Sequence, residues 1–270
     1  MGAETMTPFA EEPLEEIALN PAPLRRVLAQ VRFPPVASIA NEAFIGPFQE
    51  RLRAKYQLLR PETTVEALFG PEGVLQQNAT KVWRLHDIEE QWSVVLAPSF
   101  VTLETTAYTS RNDFIERFRE VLDAFHAMAD PAPALVYERI GVRYVNMLTG
   151  EDATSKLRGH IRPEMYGPLA IEMTDGMELL ANVSQAHFQL DGPQMQARWA
   201  KLPPNAVAVP DVAPVPEPSW MLDIDVFFEN RAPFDPADVA DSARHAATHA
   251  YRFFRWAMDE SFLEARRVQA

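Results

Sequence analysis

Arg139 and Arg143 stand in the run Glu138-Arg139-Ile140-Gly141-Val142-Arg143-Tyr144-Val145-Asn146. Alternation along a strand puts the two arginines on one face with Gly141 between them, and Ile140, Val142 and Tyr144 on the other, suited to a core. Guanidinium forks match carboxylates, so this face can receive an acidic ligand or a peptide. Asp223 and Asp225 sit with similar alternation on a later stretch. The same arginines can therefore be consumed in cross-strand ion pairs, a purely structural role.

Other constellations are poorer. His245 and His249 are four apart with Asp241 one turn earlier, a spacing that can hold a metal on a helix face. The residue after His245 is Ala246, where a metalloprotease motif has glutamate. A polar helix flank accounts for the three more simply, and no metal is expected. Ser93, Ser99 and Ser184 lack the flanking glycines of a nucleophile elbow. The 10 glycines form neither a phosphate loop nor a dinucleotide fingerprint, so no cofactor is expected. Trp199 and Trp220 flank a proline-rich loop, 203–218, and can line a groove beneath it.

The elements that must position these residues read as α+β: antiparallel sheet covered by two long helices. Residues 1–20 read as a flexible acidic tail. Leu24 to Phe33 alternates as a strand and is stopped by Pro34-Pro35. Phe44, Phe48, Leu52 and Tyr56 recur at helical spacing, with Pro47 as a candidate first-turn residue. Strands are expected at 63–69, 80–86, 91–97 and 100–108. A helix follows, capped by Ser110 and carrying Phe114, Phe118, Val121, Leu122 and Phe125 on one stripe, up to Asp130-Pro131. Beyond the central strand, 135–148, strands are expected at 169–174, 178–190, 195–199 and 220–229. Asp235-Pro236 opens a final helix to about Leu263.

Two similar halves, 21–132 and 133–270, each run strand, irregular segment, antiparallel strands, helix. Gln30-Val31-Arg32-Phe33 echoes Gly141-Val142-Arg143-Tyr144. The 270 residues suffice for a substantial core. A net charge of -13 argues against a nucleic-acid partner, whose phosphates demand neutralisation. Zero cysteines exclude disulfides and fit a cytoplasmic setting. No apolar run is long enough to span a bilayer, and the acidic start does not read as a secretory signal. The sequence leaves the oligomeric state open.

Asn20-Pro21-Ala22-Pro23-Leu24, Val31-Arg32-Phe33-Pro34-Pro35, the Arg139–Asn146 run and a C-terminal helix rich in Phe and Trp together resemble a sporadically distributed family of uncharacterised bacterial proteins. In size and general character the chain is also similar to the peptide-binding accessory proteins of crocagin biosynthesis, a ribosomal peptide pathway. That resemblance implies a non-catalytic protein that holds a precursor peptide, or a partner protein, by strand addition to a sheet edge. Arg139, Arg143, Trp199 and Trp220 are the expected binding residues. The alternatives are a hydrolase, metal-dependent through His245, His249 and Asp241 or of another kind, a regulatory or defence-associated partner protein, and a small-ligand binder of helix-grip type.

Overall fold

The computed structural model describes Phe9 and residues 14–70, 73–129, 135–207, 209 and 212–268; for 64–70, 73–79 and 129 it describes the backbone alone. Most of the expected acidic tail and the Asp130-Pro131 stop lie outside the described residues.

One antiparallel sheet of nine strands and four helices make this a mixed α+β protein. The strands are β1 (Leu24–Arg32), β2 (Leu58–Gly70), β3 (Gly73–His86), β4 (Trp92–Ala97), β5 (Phe100–Thr105), β6 (Val136–Thr149), β7 (Asn182–Gln189), β8 (Gln194–Leu202) and β9 (Ser219–Pro233). Across the sheet they run β2-β3-β4-β5-β1-β6-β9-β8-β7. The helices are α1 (Glu42–Leu52), α2 (Arg111–Ala129), α3 (Pro236–Ala257) and α4 (Glu260–Arg266).

Alternation explains why these segments are strands. Val27, Ala29, Val31 and Phe33 are all buried, as are Ile140, Val142 and Tyr144 of β6 and Leu222, Ile224 and Val226 of β9. Each set lies on one face of its strand, and desolvating it stabilises that register alone. The helix stripes behave in the same way. Phe114, Phe118, Val121, Leu122 and Phe125 of α2 are buried, as are Val239, Ala243, Ala246, Ala250 and Phe253 of α3.

The chain divides into two compact units. One comprises Met1–Val27, Val142–Phe227 and His245–Ala270; the other comprises Leu28–Gly141 and Phe228–Arg244. Within the second, Phe33 stacks on Phe125 at 4.8 Å, and Phe125 meets Phe234 edge-on at 5.5 Å. The Trp83 indole donates to the Ile39 carbonyl at 3.1 Å. Within the first, Phe253 packs between Phe188 and Trp256, at 5.9 and 5.3 Å. Ile17 N donates to the Tyr251 hydroxyl and Asn20 N to the Arg266 carbonyl, both at 2.8 Å. The end of the N-terminal segment is thereby tied down.

Three expectations are corrected. Helix α1 begins at Glu42 and carries Pro47 inside it, because Asn41 caps it by accepting from Ala43 N at 2.9 Å. No strand forms at 169–174. Gly167–Ala170 is a short 3-10 turn, with Gly167 at φ +51° and Pro168 lacking a donor, and the residues that follow are exposed. The final helix does not run to Leu263. It stops at Ala257, and Asp259 caps a new helix by accepting from Ser261 N at 2.9 Å. The break frees Asp259 N to donate to the His160 carbonyl at 2.9 Å, so a long-range contact replaces a helical one.

Candidate binding site at the edge strand

All the groups in this section, except Asp241 and Arg139 with its partner, belong to the unit that contains β7, β8 and the second part of α3. Strand β7 ends the sheet, pairing with β8 on one side. Among the described residues no strand pairs with its other side. The register settles which backbone groups face outward. Leu190 N donates to the Pro193 carbonyl at 2.9 Å, so that pair is a hydrogen-bonded one. In an antiparallel ladder bonded pairs recur every second residue, hence Phe188↔Met195, Ala186↔Ala197 and Ser184↔Trp199. Val183, Gln185, His187 and Gln189 therefore turn their N–H and C=O groups to the open edge. Their side chains are exposed, while those of Ser184, Ala186 and Phe188 are half-buried.

Directly paired residues share a face. Gln185, Arg198 and Asp223 stand abreast, as do His187, Gln196 and Asp225. Asp223 accepts two bonds from Arg143, through Nε and Nη2, each at 2.7 Å, and a third from Arg198 Nη2 at 3.0 Å. Burial works against the Arg143 charge, but its bonds to Asp223 and the attraction of Asp223 and Asp225 outweigh this and raise its pKa. Gln185 and Gln196 complete a polar pocket of about 130 Å³ around the cluster. It can admit a small polar group but falls short of a drug-sized ligand.

The expected binding residues divide. Arg143 makes the foreseen pair with Asp223, joined by Arg198. Arg139 has the Glu229 carboxylate at 4.0 Å. Trp199 and Trp220 stand opposite Leu222 and Lys201, on the face away from Asp223. Trp220 is 1% exposed and is part of the core. The proline-rich loop lies elsewhere: its Val209 packs with Val145, Ala200, Leu202 and Met221, residues of the Asp223 face. The loop and the two tryptophans thus occupy opposite sides of the sheet.

A larger cleft, about 730 Å³, opens between the C-terminal end of β7 and α3. Phe188 and Asp191 line one wall, His245, Thr248, His249 and Arg252 the other, and the Phe9 ring sits against Phe188 at 5.2 Å. The Nε2 atoms of His245 and His249 are 3.1 Å apart. One ring must donate and the other accept, so the pair cannot hold two positive charges in this geometry. Burial, then the nearby charges of His245 and Arg252, push the His249 pKa down to about 4. His249 is neutral at physiological pH. Asp241 is exposed, and among the described residues no three His, Cys, Asp or Glu side chains come together as metal ligands.

Arg198, Phe188, Arg252 and Phe9 were not singled out by sequence reasoning. A strand recognised over the whole of 194–202 would have exposed Arg198, since it falls in phase with Gln196 and Ala200. Nothing local marks Phe9. No family model matches the chain, and comparison with curated proteins finds no relative.

Proposed function

We propose that this chain is a non-catalytic binding protein that takes up an extended peptide as an added strand on the outer edge of β7. The observation that carries this reading is the order of the sheet. Outward from its middle, the first half runs β1-β5-β4-β3-β2 and the second runs β6-β9-β8-β7. In each, the first strand in the chain is innermost, the last lies beside it, and earlier strands follow outward. We read this as duplication of one unit. The first half fills a fifth place with β2, hydrogen-bonded along β3 from Leu58↔His86 to Gly70↔Gly73. Among the described residues the second half has no strand there. A bound peptide would take that place.

Two further observations support the reading. The segment leading into β7 exposes Ile171, Met173, Met177 and Leu180, followed by Val183 on the strand itself. Five exposed apolar side chains so close together suit a partner surface, and methionines adapt to varied contours. The polar pocket with Gln185 and Arg143 flanks the same edge and offers donors for side-chain selectivity. The resemblance to ribosomal-peptide accessory proteins makes a precursor peptide the first ligand to test.

Calorimetry of the full chain against short peptides encoded beside its gene is the direct experiment. A binder in the micromolar range is expected. Gln185→Pro, which removes an outward N–H while leaving the β8 ladder intact, should weaken it at least tenfold, and Gln185→Ala, which loses only the side chain, by much less. No binding at high micromolar peptide, or binding indifferent to Gln185→Pro, overturns strand addition at β7.

A further inference from the structure

One of the residues that line the cleft beside β7 comes from neither β7 nor α3. Phe9 comes from the N-terminal segment, far from β7 and α3 in sequence, and its ring lies 5.2 Å from Phe188 at 54°. Phe188 in turn packs on Phe253, and Phe253 on Trp256, so four aromatic rings form a continuous series. Phe253, within it, is 2% exposed, whereas Phe9 is 39% exposed. Tilted ring pairs at these separations are favourable contacts with a preferred geometry, so this end of the cleft favours an aromatic ring over an aliphatic chain. The opposite wall is polar. Thr248, His245, His249 and Arg252 face the space, and Arg252 adds a positive charge there. In the sequence, Phe9 is followed by Glu11 and Glu12.

We infer that the Phe188 end of this cleft is a recognition subsite for an aromatic side chain of a bound peptide, and that Phe9 takes that place in the unliganded protein. The inference rests on the peptide-binding reading above and adds a specificity to it. An aromatic ring on the incoming peptide replaces Phe9 on Phe188. A ring that keeps two-fifths of its surface exposed is held weakly enough to be displaced. The intramolecular occupant lowers apparent affinity by the fraction of molecules in which it is seated. Removing it should raise the affinity for an added peptide by roughly 3–10-fold on that arithmetic.

The test uses the full chain and a synthetic peptide of residues 5–13, Thr-Met-Thr-Pro-Phe-Ala-Glu-Glu-Pro. Calorimetry should show binding to Phe9→Ala at least threefold tighter than to wild type. The same peptide with alanine for its phenylalanine should not bind, and Phe9→Ala/Phe188→Ala should lose the interaction. Phe9→Ala/Phe188→Leu, which keeps an apolar side chain of similar bulk, covers the case in which the first double variant fails to fold; it too should bind weakly. Equal affinity of wild type and Phe9→Ala, or no binding to either, overturns the inference. A foreign peptide that needs the Gln185 edge yet ignores Phe9→Ala also overturns it while leaving strand addition standing. Binding of the 5–13 peptide that survives Gln185→Pro, with no foreign peptide binding, sustains the subsite and removes strand addition.

Discussion

With its side chain 7% exposed, Asp223 holds two guanidinium groups that each keep about a third of their surface in contact with solvent. Removing the acid strands two cations beside one another, whereas removing one arginine leaves a satisfied pair. Asp223→Ala should therefore destabilise the protein by about 3 kcal/mol, at the low end for a broken buried pair because the arginines can still reach water. Arg198→Met should cost less than about 1 kcal/mol. Urea denaturation of the two variants measures the difference. At His249 the sign of the pH effect is set by its low folded pKa. Unfolding returns the imidazole to its ordinary value near 6.5, so between about pH 4 and 6.5 the unfolded chain binds the extra proton. Stability due to this group is intact above pH 6.5 and falls as pH drops through the window, by roughly 1–3 kcal/mol. His249→Gln should flatten that part of a stability-against-pH curve relative to wild type.

At the scale of elements, β7 and the α3–α4 break are where local rules and long-range contacts meet. On β7, Ala186 directs its N–H to β8 and Gln185 directs its own to the open edge. Ala186→Pro should thus melt the β7–β8 hairpin, while Gln185→Pro leaves thermal stability nearly unchanged; thermal denaturation of both separates them. Beyond the break, one side chain caps α4. Asp259→Ala deletes the cap of α4 and should cost about 1 kcal/mol. Amide exchange should quicken across 260–266 before it does so in α3.

For the whole molecule, a strand added to β7 would extend the nine-stranded sheet to ten, in the place that β2 takes in the first half. A ligand that binds only the folded chain stabilises it by about 2.7 kcal/mol at a hundredfold excess over Kd. A peptide that adds to the edge should raise the melting temperature by several degrees and slow exchange at the amides of Val183, Gln185, His187 and Gln189. Stabilisation without protection of those four amides would move the binding site away from the edge.

The sequence by itself determined which residues alternate and which recur at helical spacing. The faces of β1, β6 and β9 and the stripes of α2 and α3 follow from those periods, because each set of apolar residues has one local geometry that removes it from water. The same reasoning offered Asp223 and Asp225 as cross-strand partners for the two arginines; the structure pairs Arg143 with Asp223. It did not assign Arg139 to Glu229 or break the last helix at Asp259, where partners distant in the chain take part, and it missed the turn at Gly167-Pro168 that keeps 169–174 out of the sheet. Nor could it find the open edge of β7 or seat Phe9 on Phe188. Strand order and the docking of a remote ring are decided by how the whole chain closes its core, and only the tertiary structure carries that information.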